Sequence, residues 1–191
     1  MGEAPQPIPK VVVISTVAEL GDEAMAMLRP DVPPVDFIRL LAGKKLYADA
    51  VRFLAHALPK REAVWWAWVS ARRAAGPEPA PKIKASLQAT ERWIADPKDE
   101  NRRAAMAAAQ AADLGTAAGC AGLAAFFSGG SLAPPEAPAV PPGEYLTAKA
   151  VAGAIIFSCL ATEPEKGPEK FQAAIAQGVD VTTRIKLWEQ Q

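Results

Sequence analysis

The stretch Pro59-Lys-Arg-Glu-Ala-Val-Trp-Trp-Ala-Trp-Val-Ser-Ala-Arg-Arg73 holds three of the chain's five tryptophans within four positions. It is punctuated as a helix at both ends. Pro59 suits a first turn, where a missing N–H costs nothing, and Glu62 faces the positive end of the helix dipole. Arg72 and Arg73 sit at the negative end, with Gly76 as a left-handed cap and Pro77 as a stop. Between those ends Val64, Trp65, Trp68 and Val69 share one apolar face, and Trp66 points about 100° away from Trp65. A helix apolar on most sides belongs in the middle of a helical stack.

Outward from that helix the same reading continues. Leu46–Leu58 carries Leu46, Ala50, Phe53, Leu54 and Ala57 on one face and turns at Leu58-Pro59 into the tryptophan helix, which predicts an antiparallel hairpin. Before it, Asp36–Ala42 makes a short helix closed by Gly43, and Thr16-Val-Ala-Glu19 matches a capping box that opens a helix to about Met27. Val11–Ile14 reads as a short extended segment or strap, and residues 1–15 as a proline-rich arm. After the tryptophan helix come the stiff linker Gly76–Pro81, a helix over Ile83–Ala95, and a helix capped by Asp96 and running to about Leu114. Helices over Ala117–Phe127, Thr147–Thr162 and from Pro168 onward follow, the last with a kink expected at Gly178.

The fold class is therefore all-α: a compact stack of eight or nine helices built from antiparallel hairpins, in one domain over residues 16–191. Hairpins at roughly 40–75, 97–127 and 147–187 recur at about 50-residue intervals, a spacing compatible with a HEAT-like stack. Hydrophobic residues make up 50 % of the 191 positions. Alanine dominates that fraction, which favours closely approaching helices.

Composition narrows the function classes. Twenty-one basic and 21 acidic residues balance, so no electrostatic footprint for nucleic acid is expected. No apolar run combines the length and freedom from charge of a membrane span, and Met1–Lys10 lacks the apolar core of a signal peptide, so the expected location is the cytoplasm. Cys120 and Cys159, each in an alanine-rich run, read as buried free thiols. Ligand spacing for a metal is absent, and no cofactor loop follows a strand. The single histidine, His56, lies near Asp49 and Arg52 and reads as a solvated surface residue; a catalytic base would need a nucleophile or substrate carbonyl in reach. No enzyme is expected.

Two features point to a protein partner. Ser128–Gly143 is a long connection with P-x-x-P spacings at Pro135–Pro138 and Pro138–Pro141, favouring polyproline II. It reads either as a strap over the stack or as a docking segment presenting Pro134, Pro135, Pro138, Pro141 and Pro142. Trp66, off the main apolar face, joins that surface if exposed. The leading expectation is a non-enzymatic helical adaptor mediating protein–protein interaction. The alternative is a small-ligand or lipid-binding domain with an apolar pocket lined by Trp65, Trp68, Phe126 and Phe157. Nothing in the spacing fixes the partner or the oligomeric state.

Three segments together carry a resemblance: Leu46-Tyr-Ala-Asp-Ala-Val-Arg-Phe-Leu-Ala-His-Ala-Leu-Pro-Lys-Arg-Glu-Ala-Val-Trp-Trp-Ala67, Ala125-Phe-Phe-Ser-Gly-Gly-Ser-Leu-Ala-Pro-Pro135 and Leu146-Thr-Ala-Lys-Ala-Val-Ala-Gly153. The combination resembles an uncharacterised family of small, helical, cytoplasmic bacterial proteins often encoded beside type VI secretion genes. It covers roughly residues 35–165. The resemblance implies a setting near a contractile secretion apparatus and transfers no catalytic signature.

Overall fold

The structure, a computed structural model, describes residues 10–189, and the part of the expected N-terminal arm before Lys10 lies outside them. Ten α-helices follow one another: α1 Lys10–Val17, α2 Asp22–Ala26, α3 Pro34–Gly43, α4 Tyr47–Ala57, α5 Lys60–Ala75, α6 Pro81–Ala95, α7 Asp99–Ala111, α8 Ala117–Phe126, α9 Leu146–Leu160 and α10 Gly167–Arg184. A single 3₁₀ turn, Pro164–Lys166, joins the last two, and there is no strand among the described residues. The all-α expectation holds. No single described helix is long and apolar enough to cross a membrane; α9 and the segment Pro164–Arg184 reach that length only together, bent by 115°.

Two helices share the centre. α9 buries residues around its whole circumference, among them Val151, Ala154, Ile155 and Cys159, and packs on α4, α5, α8 and α10. α5 packs on α6, α8, α9 and α10. Small side chains let these helices approach closely: α8 buries Ala118, Ala121, Ala124 and Ala125 between α7 and α9.

The buried face of α5 differs from the expected one. Val64 and Trp68 are buried as anticipated, but Trp65 and Val69 are only half-buried, while Ala63, Trp66, Ala67, Ser70 and Ala71 are also buried. α10 causes the difference, because it covers the Trp66 side. The Trp66 ring is 0 % exposed and its indole N–H donates to the Ala174 carbonyl at 2.9 Å. Trp68 is held on the other side by α6, donating to the Leu87 carbonyl at 3.0 Å. Gly178 does not kink α10, which runs unbroken through it. A Cβ there would stand 3.0 Å from Trp66 Cε2 and Cζ2 and 3.1 Å from Leu54 Cδ1, so the glycine is a close-approach position.

Other expectations are corrected as well. α4 and α5 are joined by a two-residue turn but do not stack as a hairpin; both pack on α9 instead. The HEAT-like arrangement fails for a related reason. A solenoid unit touches only its sequence neighbours, yet α9 and α10 contact α4 and α5 as well as α8 contacting both α5 and α9. Val11–Ile14 is helical, within α1, because burial of Val11 and Ser15 beside α4 overrides the β preference of the valines. The expected boundary at residue 15 therefore cuts a helix. Thr16 caps nothing: its hydroxyl turns back to the Val12 carbonyl, and the chain breaks at Glu19, φ 52°, before α2. Finally, α7 starts at Asp99 with Lys98 as its cap residue, and Asp96 ends α6, its carbonyl accepting from Asn101 Nδ2 at 2.8 Å.

Candidate functional site

The connection between α8 and α9 is built on one buried cation. α7 begins with two acids, Asp99 and Glu100, at its positive end, and Arg102 and Arg103 follow at helical spacing from Asp99. Arg103 points outward, its Nε donating to Asp99 Oδ2 at 2.7 Å. Arg102 points inward and is 3 % exposed. Its Nε donates to Asp99 Oδ1 at 2.8 Å, its Nη1 to the Phe126 carbonyl at 2.7 Å, and its Nη2 to the Ser131 carbonyl at 2.8 Å. The guanidinium also lies over the Phe126 ring, 4.6 Å from its centroid. One side chain thus closes the end of α8 and fixes the start of the loop. The two arginines in turn hold the Asp99 carboxyl below the usual carboxylate range, the Arg103 hydrogen bond contributing most.

Gly130 is required by this arrangement. Its φ is +64°, and a Cβ would stand 2.9 Å from Arg102 Nε, Arg102 Nη2 and Asp99 Oδ1. Beyond it, Ser131 accepts at Oγ from the amides of Ala133 (3.1 Å) and Val140 (3.0 Å), while Leu132 N–H donates to the Val140 carbonyl at 2.8 Å. Arg103 Nη2 donates to the Ala133 carbonyl at 3.0 Å. The excursion Ala133–Ala139 is therefore pinched shut at its base. Ala137 N–H returns to the Pro134 carbonyl at 3.1 Å, a turn that interrupts the continuous polyproline II run expected from the spacing.

Pro134, Pro135, Pro138 and Pro141 are exposed and Pro142 is half-buried. Val140 is 51 % exposed between them. Four of the five prolines are thus exposed, while Trp66 is not: it lies under α10, beyond reach of any partner in this conformation. Arg102, which organises the loop, escaped the sequence reading. Its signal was the Asp99, Arg102, Arg103 spacing, and that pattern reads as a solvated face unless a neighbouring helix end is known to need donors.

The remaining candidates also change. Trp68 lines a groove of about 710 Å³ between α5, Gly76–Pro79 and α6, with Arg72 stacked 5.4 Å over its ring, but Trp65, Phe126 and Phe157 do not join it there. Phe157 is exposed. The four-ring pocket is not formed. Arg61, part of the basic end of the tryptophan helix, caps α6 by donating to the Ile94 carbonyl at 2.8 Å. His56 is half-buried rather than solvated, beside a cleft of about 300 Å³ that also touches Glu19, Arg52 and Lys149. Its Nδ1 lies 2.8 Å from the Arg52 carbonyl, which fixes the proton on that nitrogen and leaves the buried Nε2 unpartnered. Burial pushes its pKa down. No serine, threonine or cysteine side chain borders that cleft. Cys120 and Cys159 are buried free thiols. No group of three or more histidine, cysteine or acidic side chains suited to a metal occurs among the described residues.

A family model for a family of unknown function (DUF6931) matches residues 37–182, spanning α5, the whole proline loop and nearly all of α10. No curated protein and no solved structure matches the chain.

Proposed function

We propose that this chain, which belongs to the DUF6931 family of unknown function, is a non-enzymatic helical adaptor that holds the Ser128–Gly143 loop out to a protein partner. One observation carries the reading: the loop is fixed at its base by the buried Arg102 yet leaves Pro134 to Pro141 exposed. A strap would bury those prolines. A segment already fixed in shape loses little entropy on docking, and its ring-bearing residues offer apolar surface with few N–H groups to desolvate. The partner class is a protein with an aromatic-lined groove. We place the adaptor in a bacterial type VI secretion or related contractile apparatus, in the cytoplasm; the spelling of the segments around Trp65, Gly130 and Lys149 supports that setting.

The test replaces Pro134, Pro135, Pro138 and Pro141 together by alanine and compares partner recovery from the native host. The expected result is loss of the partner with unchanged helical circular dichroism. Equal recovery with both proteins would remove the loop from the interface.

A further inference from the structure

Between α5, α9 and α10 lies a cleft of about 360 Å³. Ser70, Ala74, Cys159 and Ala174 line it, with Arg73 and Lys170 among the charged residues at its edge. Ser70 is 6 % exposed and its hydroxyl has no hydrogen-bond partner. Among the buried hydroxyls of the described residues only Thr147 shares that lack of a partner, and Thr147 does not line this cleft. The buried hydroxyls of Ser15, Thr90 and Ser158 each turn back to the carbonyl four residues earlier, and Ser70, in mid-helix with the Trp66 carbonyl available to it, does not. A buried hydroxyl left unpaired is costly, and such groups in native proteins have a reason to be there.

The walls decide what kind of molecule fits. They are small side chains with no aromatic ring among them, so a flat ring finds no stacking partner and a thin aliphatic chain packs well. The interior is uncharged, because burial pushes the Cys159 thiol up to about 11 and keeps it protonated. The edge carries cations. The Arg73 side chain has no hydrogen bond or ion pair among the described residues, and Lys170 Nζ donates only to Thr162 and to the Glu163 carbonyl. Of the two carboxylates there, Glu163 is already engaged by Lys166, which leaves Glu169 against both Arg73 and Lys170.

We propose that this cleft binds a small aliphatic carboxylate, with its head group between Arg73 and Lys170 and its chain running inward past Ala174 to Ser70. The site uses no residue of the proline loop, so this inference and the adaptor reading stand or fall separately.

Sodium octanoate is the probe, titrated into the full chain and followed by amide chemical shifts and by the rate of Cys159 methylthiolation. Expected are saturable shifts centred on Ser70, Cys159 and Ala174, with Cys159 protected and Cys120 unaffected. Arg73→Gln should weaken binding by about tenfold or more, the loss expected for a charge-assisted hydrogen bond. Ala173→Trp, which places bulk at the cleft edge, should abolish it, and octylammonium should bind at least tenfold more weakly than octanoate, about the same factor by charge complementarity. The proposal is overturned by no saturation at about 10 mM octanoate, an affinity too weak for a built site. It is equally overturned by shifts elsewhere, by equal binding of octylammonium, or by an Arg73→Gln variant that binds as before. Should Ala173→Trp fail to fold, the exposed Arg73 substitution decides alone.

Discussion

The indole N–H of Trp66 donates to the Ala174 carbonyl across the α5–α10 contact, and Gly178, one turn beyond Ala174, faces the same ring. A donor fixes where the ring sits; a missing side chain makes the space for it. Together they explain how Trp66, the largest fully buried side chain among the described residues, is enclosed while its neighbour Trp65, about 100° round the helix, is only half-buried. They also tie α10, late in the chain, to the helix from which the fold was first read.

Gly178→Val tests that contact. A Cβ at this position already meets the ring at 3.0 Å, and the ring is held by its hydrogen bond and by complete burial, so it cannot move aside. Branching adds bulk, and the gain in helix propensity over glycine, about a few tenths of a kcal/mol, offsets little of it. Overpacking of this kind costs about 1–3 kcal/mol, and we expect the upper half of that range from urea unfolding. A variant as stable as the parent would mean that α10 is not seated on Trp66.

Arg102→Leu tests the base of the loop. The substitution keeps apolar volume but removes donors to the Phe126 and Ser131 carbonyls. Leaving such acceptors unpaired costs about 1–3 kcal/mol apiece when they stay dry, and a total of about 2–4 kcal/mol is expected after some hydration. Hydrogen exchange distinguishes this from general loosening. The Leu132 amide, bonded to the Val140 carbonyl, should lose protection disproportionately. Exchange at Leu132 unchanged by Arg102→Leu would show that the loop holds itself together.

Much of the helical order could be read from punctuation and period. Pro59, the Gly76–Pro81 linker and the apolar spacing of α4 and α6 are local signals, and the helices they mark lie close to where they are expected, whereas the cap of α8, Thr116 accepting from Gly119 N–H at 3.0 Å, is one the sequence reading missed. What failed was non-local. Whether Trp65 or Trp66 is enclosed depends on α10, more than 100 positions away, and an alanine-rich helix such as α9 has no polar face to say which neighbours it will take. The same applies to the site. The prolines of the loop announce an exposed connection by composition, whereas Arg102 becomes structural only when the end of α8 is laid beside it. His56 looked solvated because its own helix surrounds it with Asp49 and Arg52; Tyr145, whose ring lies 5.7 Å away, and Lys149 arrive from the other side of the loop.

The thiols should behave as two buried groups of unequal reluctance. Burial raises both pKa values, and Cys159 reaches about 11. Because the thiolate is the reactive species, a pKa two units or more above the ordinary thiol lowers its fraction at neutral pH by about a hundredfold or more, before access is considered. Treatment of the folded chain with an aromatic disulfide reagent should therefore give no burst. Labelling should proceed at the rate of opening, and two thiols per chain should appear at once in guanidinium. A rapid equivalent in the native state would show that one of these cysteines is accessible after all.

The pH dependence near neutrality should come from one group. His56 is the chain's single histidine, and Glu19, Asp99 and Glu163, the carboxylates whose pKa values shift, move downward and away from that range. In the folded state burial disfavours the imidazolium, with Lys149 adding repulsion, while the Arg52 carbonyl and Glu19 oppose the shift without overcoming it. The folded pKa therefore lies below the unfolded value. Between the two, the unfolded chain binds more protons, and stability rises with pH. The neutral-histidine contribution is complete above about 6.5, the unfolded value, and is lost as pH falls from there through the folded pKa. Thermal melts from pH 7.5 down to 5 should show a declining midpoint in the parent chain and a flatter course in His56→Gln, whose amide does not titrate. Parallel curves for the two proteins would assign the slope elsewhere, and a midpoint that climbs on acidification would reverse the sign and place His56 beside a dominant anion.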